Sequence, residues 1–153
     1  MVAASRERDL AATFVVLIHD RKATTVAVTP ARFDELDARF DRFRGHLLIS
    51  CFAFDADWPT GERHPAGDEF ICLLSGAAAL VLERGGVEEV VHLRNAGAFA
   101  IVPKGTWHAA RTPIPARRLF LTRGEGTESR RCKRATRCVR APAPGPCVEQ
   151  GPR

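Results

Sequence analysis

The sequence predicts an all-β domain, a sandwich or barrel with one short amphipathic helix near its N-terminus, and three observations carry that expectation. From residue 69 onward, strand-like runs follow one another closely: Glu69 to Leu74, Ala78 to Glu83, Val87 to Leu93, Phe99 to Val102, Thr106 to Thr112 and Arg117 to Thr122. Between them stand Ser75-Gly76, Gly85-Gly86, Asn95-Ala96-Gly97 and Pro103-Lys104-Gly105, the residue types that reverse a chain tightly. Helical periodicity occurs once, where Phe33, Leu36, Phe40 and Phe43 recur at steps of 3, 4 and 3 residues.

Taken in order, residues 1–12 are polar and rich in small side chains and read as a loose extension. Leu10 to Ile18 follows Arg6 and Arg8 as the apolar core of a signal peptide would, but Glu7 and Asp9 cancel those charges and no small-x-small cleavage site follows. Thr13 to Ile18 is therefore read as a strand, with Thr25 to Val28 as its hairpin partner. Thr29 as cap and Pro30 at the first helical position open the helix, and Gly45 ends it. The aromatic stripe of that helix is read as core rather than as a ligand-binding face. His46 to Phe54 is a strand apolar enough for burial on both sides, and Asp55 to Gly61 is a loop carrying Trp58. The domain is placed at residues 13–127. Residues 128–153 are Arg, Pro, Cys and small side chains, too poor in large apolar groups to offset the entropy of ordering, and disorder is expected there.

At 153 residues and 45% hydrophobic content the chain suits one globular domain with a sizeable core. Its formal charge of +5 resides in residues 128–153, which hold seven Lys or Arg against two Glu, leaving the expected domain neutral. A nucleic-acid partner for the folded part is not expected, since such a domain carries its basic footprint on itself. No apolar run reaches the roughly 18 residues that span a bilayer, so no membrane partner is expected. Five cysteines form no even framework, and Cys51 and Cys72 sit in strand-like runs, so free buried thiols in a cytoplasmic protein are expected. Cys132, Cys138 and Cys147 match no common zinc spacing.

The chemistry concentrates in Gly61 to Gly76. Glu62 and His64 are two residues apart and leave one face of a strand together, and Pro65-Ala66-Gly67-Asp68 is a turn that brings Glu69 onto the next strand. Downstream, Gly97, Pro103 and Gly105 prepare a tight reversal after which His108 leaves the strand on the same face as Thr106, Ala110 and Thr112. Together these residues resemble the two motifs of the cupin superfamily. His64, Glu69 and Gly76 stand at the spacing of the first motif, with Glu62 where the family usually has its first histidine. Gly97-x5-Pro103-x-Gly105-x2-His108 matches the second up to its last position, where Thr112 replaces Asn.

The resemblance implies a double-stranded β-barrel of the jelly-roll kind, small, single-domain and often a homodimer. It also implies a divalent transition metal, Fe, Mn, Ni or Zn, held by His64, Glu69 and His108, the imidazole and carboxylate donors that suit such ions. Glu62 is either a fourth ligand or a catalytic general acid or base beside the metal. The activity so implied is a dioxygenase, isomerase or lyase step on a small organic molecule. The alternative is a non-catalytic barrel that binds or senses a small ligand, with Glu62 marking a lost metal site. His19, His46 and His92 are read as structural or surface residues, and Phe52, Phe54, Trp58, Phe99 and Phe120 as either core or the lining of the barrel mouth. No phosphate-cradling glycine loop, nucleophile elbow or Cys-x-x-Cys pair is present.

Overall fold

The structure, a computed structural model, describes residues 12–18, 20–132 and 145–146. β1 (Thr13–Leu17) and β2 (Ala23–Ala27) form the expected hairpin, and β1 continues onto β3 (Leu47–Phe54). There follow β4 (Thr60–Arg63), β5 (Glu69–Arg84), β6 (Val87–Leu93), β7 (Phe99–Val102), β8 (Trp107–Thr122), β9 (Glu128–Arg131) and β10 (Gly145–Pro146). Neighbouring strands are antiparallel throughout.

β5 and β8 are each continuous over 16 residues, where the sequence suggests two strands apiece. They bend together, with register shifts between Leu73 and Ala79 on β5. Before its bend β5 pairs with β7, and after it with β6; β8 pairs first with β4 and later with β3. The two strands thus pass through both layers of the barrel: β6-β5-β8-β4-β9 forms one wall and β7-β5-β8-β3-β1-β2 the other, without the sheet closing into a ring among the described residues. Gly76 makes the bend feasible. Its φ is +79°, and a Cβ there would lie 2.0 Å from the carbonyl oxygen of Pro115, so only glycine lets the two backbones meet. Pro113 and Pro115 on the facing strand lack the N–H that a regular ladder would use.

Between the walls lie Phe14, Val16, Ile71, Leu73, Leu80, Leu82 and Val102, all buried, with Phe52, Phe54 and Phe120 in edge-to-face contact. Burying one such side chain stabilises the fold by about 1.5–3 kcal/mol. The helix α1 (Arg32–Arg39) is shorter than expected at both ends. Thr29 does not cap it; its carbonyl accepts the Arg32 N–H across a turn containing Pro30, and Ala31 stands at the N-cap without a side-chain hydrogen bond. After Arg39 the chain unwinds into a 3₁₀ turn, Asp41–Phe43, with positive φ at all three residues. Leu36, Phe40 and Phe43 are buried, but Phe33, expected in the same stripe, is 52% exposed. Phe43 lies inward on this turn, whereas Phe33 in the first turn of the helix stays outside.

Two further expectations are corrected. Residues 128–131, placed in a disordered tail, form β9 and pair with all four residues of β4. Arg130 pairs with Glu83 and lies over the Trp107 ring, and Arg63 pairs with Glu128. Backbone pairing and charge pairing hold this strand where apolar burial does not. Gly145–Pro146 also pairs, with β3, and the rest of the expected tail lies outside the described residues. Cys51 is not a free thiol but disulfide-bonded, whereas Cys72 is a free, half-buried thiol. Cysteine usage therefore gives no argument for a reducing compartment. No helix among the described residues is long and apolar enough to cross a membrane.

Candidate metal centre

The two motifs meet because their turns are tied together. The Gly105 N–H donates to the carbonyl of His64 at 3.0 Å, and the Lys104 N–H to Oδ1 of Asp68 at 2.7 Å. β4 and β8 are paired with Glu62 opposite His108, so these two side chains leave neighbouring strands side by side. His64 follows directly on β4, and Glu69 begins β5 on the opposite wall, facing them across the interior.

Four functional groups converge. Oε2 of Glu69 lies 2.9 Å from Nε2 of His108 and 3.3 Å from Nε2 of His64, and Oε2 of Glu62 lies 3.8 Å from Nε2 of His64. One ligand atom each from Glu62, His64 and His108 falls within 4.8 Å of the others. His64, Glu69 and His108 are almost wholly buried, while 37% of the Glu62 side chain reaches solvent, so the cluster opens on that side.

The outward-facing atoms of the cluster decide what the inward-facing ones can do. The Thr127 hydroxyl donates to the carbonyl of Gly124 at 2.9 Å, so toward His64 it can only accept, and Nδ1 of His64, 2.9 Å away, carries the proton. Nδ1 of His108 lies 3.1 Å from the Thr106 carbonyl, another obligatory acceptor. In the neutral imidazoles both Nε2 lone pairs then face the interior. Thr122 donates to Oε1 of Glu69 at 2.6 Å, which leaves Oε2 directed inward. Nε2 of His64, Nε2 of His108 and Oε2 of Glu69 are buried and make no hydrogen bond outside the cluster, so their nearest polar neighbours are one another. Three buried polar atoms turned toward one point, with only one another in hydrogen-bond reach, make a candidate cation site.

Charge has been arranged accordingly. Burial alone would raise the pKa of Glu69, but the two imidazoles outweigh it and hold the carboxyl down to about 2. Burial would lower that of His108, yet the Glu69 carboxylate raises it on balance. Glu62 is pushed up by burial and then by Glu69, with solvent on its open side limiting the burial effect. A bound dication would override this balance by favouring every deprotonated ligand.

All four site residues expected from the sequence are thus in one cluster. His92 is exposed and His46 is buried against Phe40 and Phe43, both away from it, and His19 lies outside the described residues. Phe52, Phe54 and Phe120 are core, Phe99 is exposed, and Trp58 packs 6.1 Å from the His108 ring. Sequence reasoning missed Thr122 and Thr127. Thr122 shares the inward parity of His108, a signal hidden by dividing β8 in two; Thr127 has no local signature.

Two walls sharing β5 and β8, with the Glu62/His64/Glu69/His108 cluster between them, make this a cupin-like double-stranded β-barrel. No protein-family model matches the sequence, and no curated protein matches it. Among solved structures, it is similar to a cupin-2 domain protein of Shewanella frigidimarina, at 15% identity over 49% of this chain and 68% of that one, with a TM-score of 0.42. It is also similar to a conserved protein with a double-stranded β-helix domain from Klebsiella pneumoniae, at 23% identity over 56% of this chain and 76% of that one, with a TM-score of 0.46. An oxalate oxidase is similar at 16% identity over 53% of this chain and 44% of that one, with a TM-score of 0.46. At these identities and scores the likeness says nothing of this chain's chemistry.

Proposed function

We propose that this protein is a metal-dependent cupin that binds a divalent transition metal, Fe, Mn, Ni or Zn, through His64, Glu69 and His108, and acts on a small organic molecule. The observation that carries the reading is the set of three buried polar atoms converging on one another, with the backs of all three side chains already hydrogen-bonded. Two imidazoles and a carboxylate leave coordination positions open and suit these ions. A metal there would supply Lewis acidity to a bound oxygen atom.

Glu62 takes the remaining side. In the metal-free protein its pKa is raised and its side chain is the one in contact with solvent, the properties of a group that exchanges protons with substrate. Its Oε2 also stands close enough to His64 Nε2 to complete the ligand set. His64, Glu69 and His108 stay oriented by Thr127, Thr122 and the Thr106 carbonyl.

The test is elemental analysis of protein purified without chelator, beside the variants His64→Ala, His108→Ala and Glu62→Gln. About one equivalent of a transition metal in the wild type and almost none in the histidine variants is the expected result. Metal retained in Glu62→Gln makes Glu62 the acid or base; metal lost makes it a ligand. A wild type that neither carries nor takes up metal removes the enzyme reading and leaves a ligand-binding barrel.

A further inference from the structure

Except for Ile114 at the bend, which is exposed, β8 turns its even-numbered side chains inward, and His108, Ala110, Thr112, Ala116, Arg118, Phe120 and Thr122 are all buried. Arg118 is the anomaly in this series, a guanidinium with no solvent exposure in a mostly apolar interior. Burying a cation is costly unless its charge and its hydrogens are satisfied. Nη2 donates to the Thr112 hydroxyl at 3.0 Å, but Nε and Nη1 have no partner among the described residues. The charge that acts on it is Asp57, whose Oδ1 instead accepts the Thr112 N–H at 2.6 Å. Burial lowers its pKa to about 10, so the group remains a cation at neutral pH.

Its known contacts engage a face and one hydrogen of the guanidinium. One face stacks on Phe54, with Cζ 3.9 Å from the ring centroid, and the Trp58 ring lies 5.4 Å away. A guanidinium has five N–H groups, and Thr112 uses one of them on Nη2. The two hydrogens of Nη2 belong to different forks, Nη1/Nη2 and Nε/Nη2, so whichever one is taken, a complete two-donor fork remains. That fork has the spacing of a carboxylate. Nε1 of Trp58 is another buried donor without a partner among the described residues, and the same indole lies 6.1 Å from the His108 imidazole.

We propose that Arg118 is an anion-binding residue whose free fork holds the carboxylate of a small organic acid inside the barrel. Trp58 forms the wall between this seat and the cluster at His108, and the remainder of the acid extends along it toward that cluster. That direction rests on the metal reading above; the carboxylate seat does not. Trp58 is half-exposed on the loop between β3 and β4, and its displacement opens the way to the sealed guanidinium.

The experiment is thermal unfolding of the full chain, dialysed against chelator, in sodium acetate and in sodium chloride at equal ionic strength. Acetate should raise the wild-type midpoint by about 3 °C more than chloride. Arg118→Met should abolish the difference while keeping or raising the midpoint in chloride, because the orphaned donors are gone. Arg118→Lys, which keeps the charge but not the fork, should retain a smaller difference, and Trp58→Phe should reduce it. The acetate effect should persist in His108→Ala, so that failure of the metal reading and failure of this one are read separately. Equal midpoints of the wild type in the two salts would overturn the proposal. So would an acetate effect undiminished in Arg118→Met or, if that variant does not fold, in Arg118→Lys.

Discussion

Replacing Thr127 by valine removes one hydroxyl and tests whether the cluster is built to present lone pairs to a metal. The hydroxyl accepts from Nδ1 of His64 because its own proton is engaged with the Gly124 carbonyl. Without it His64 is free to exchange tautomers, and the other tautomer directs an N–H at the metal position. Loss of such a supporting partner weakens metal affinity about 10–100-fold, or about 1.4–2.8 kcal/mol. Thr127 itself is exposed, so the metal-free fold should lose less than about 1 kcal/mol. The assay is competition for Zn(II) or Mn(II) against a chromogenic chelator, with urea unfolding of the chelator-treated protein alongside. A dissociation constant unchanged within about threefold would refute the reasoning. A metal-free stability loss as large as the loss in metal binding would refute it as well, by making Thr127 a general support of the fold.

Two further outcomes follow from backbone and charge. Gly76→Ala should cost at least about 3 kcal/mol, since it adds left-handed strain to a Cβ 2.0 Å from the Pro115 carbonyl. Gly97→Ala, with the same sign of φ but open space around it, should cost only the strain, about 1–2 kcal/mol; equal losses in urea unfolding would refute the bend. Metal affinity should rise about tenfold per pH unit up to the raised pKa of His108 and level off above it, because the ion must displace that proton. In the metal-free protein Glu69, held at about 2 against an ordinary 4.5, contributes on the order of 3 kcal/mol above pH 4.5. That contribution should disappear as pH falls toward 2, and Glu69→Gln should remove this part of the acid dependence.

The site was legible early because its determinants are local. Glu62 and His64 share a strand face through their spacing, and Pro65 to Asp68 sets where Glu69 starts the next strand. Pro103 and Gly105 place His108 by the same means. Charge misled for a physical reason: Arg130 and Arg131 count as tail by composition, yet Arg130 serves Glu83 and Trp107 and belongs to the sheet. Strand pairing and cation–aromatic contact can order a segment with almost no apolar side chains, and neither shows in a hydrophobicity pattern. Ser75-Gly76 misled likewise, because a glycine needed for close approach inside a strand has the same local signature as one in a turn.

The sequence by itself determined most of the strands, their inward parity and the identity of four converging side chains, since period, turn chemistry and motif spacing act over a few residues. Only the tertiary structure decided that β5 and β8 pass through both walls, that Thr127 orients His64, that Cys51 is bonded and that Arg118 is buried with a free fork. Each of those depends on which distant backbone lies opposite, a choice made by the folded chain as a whole.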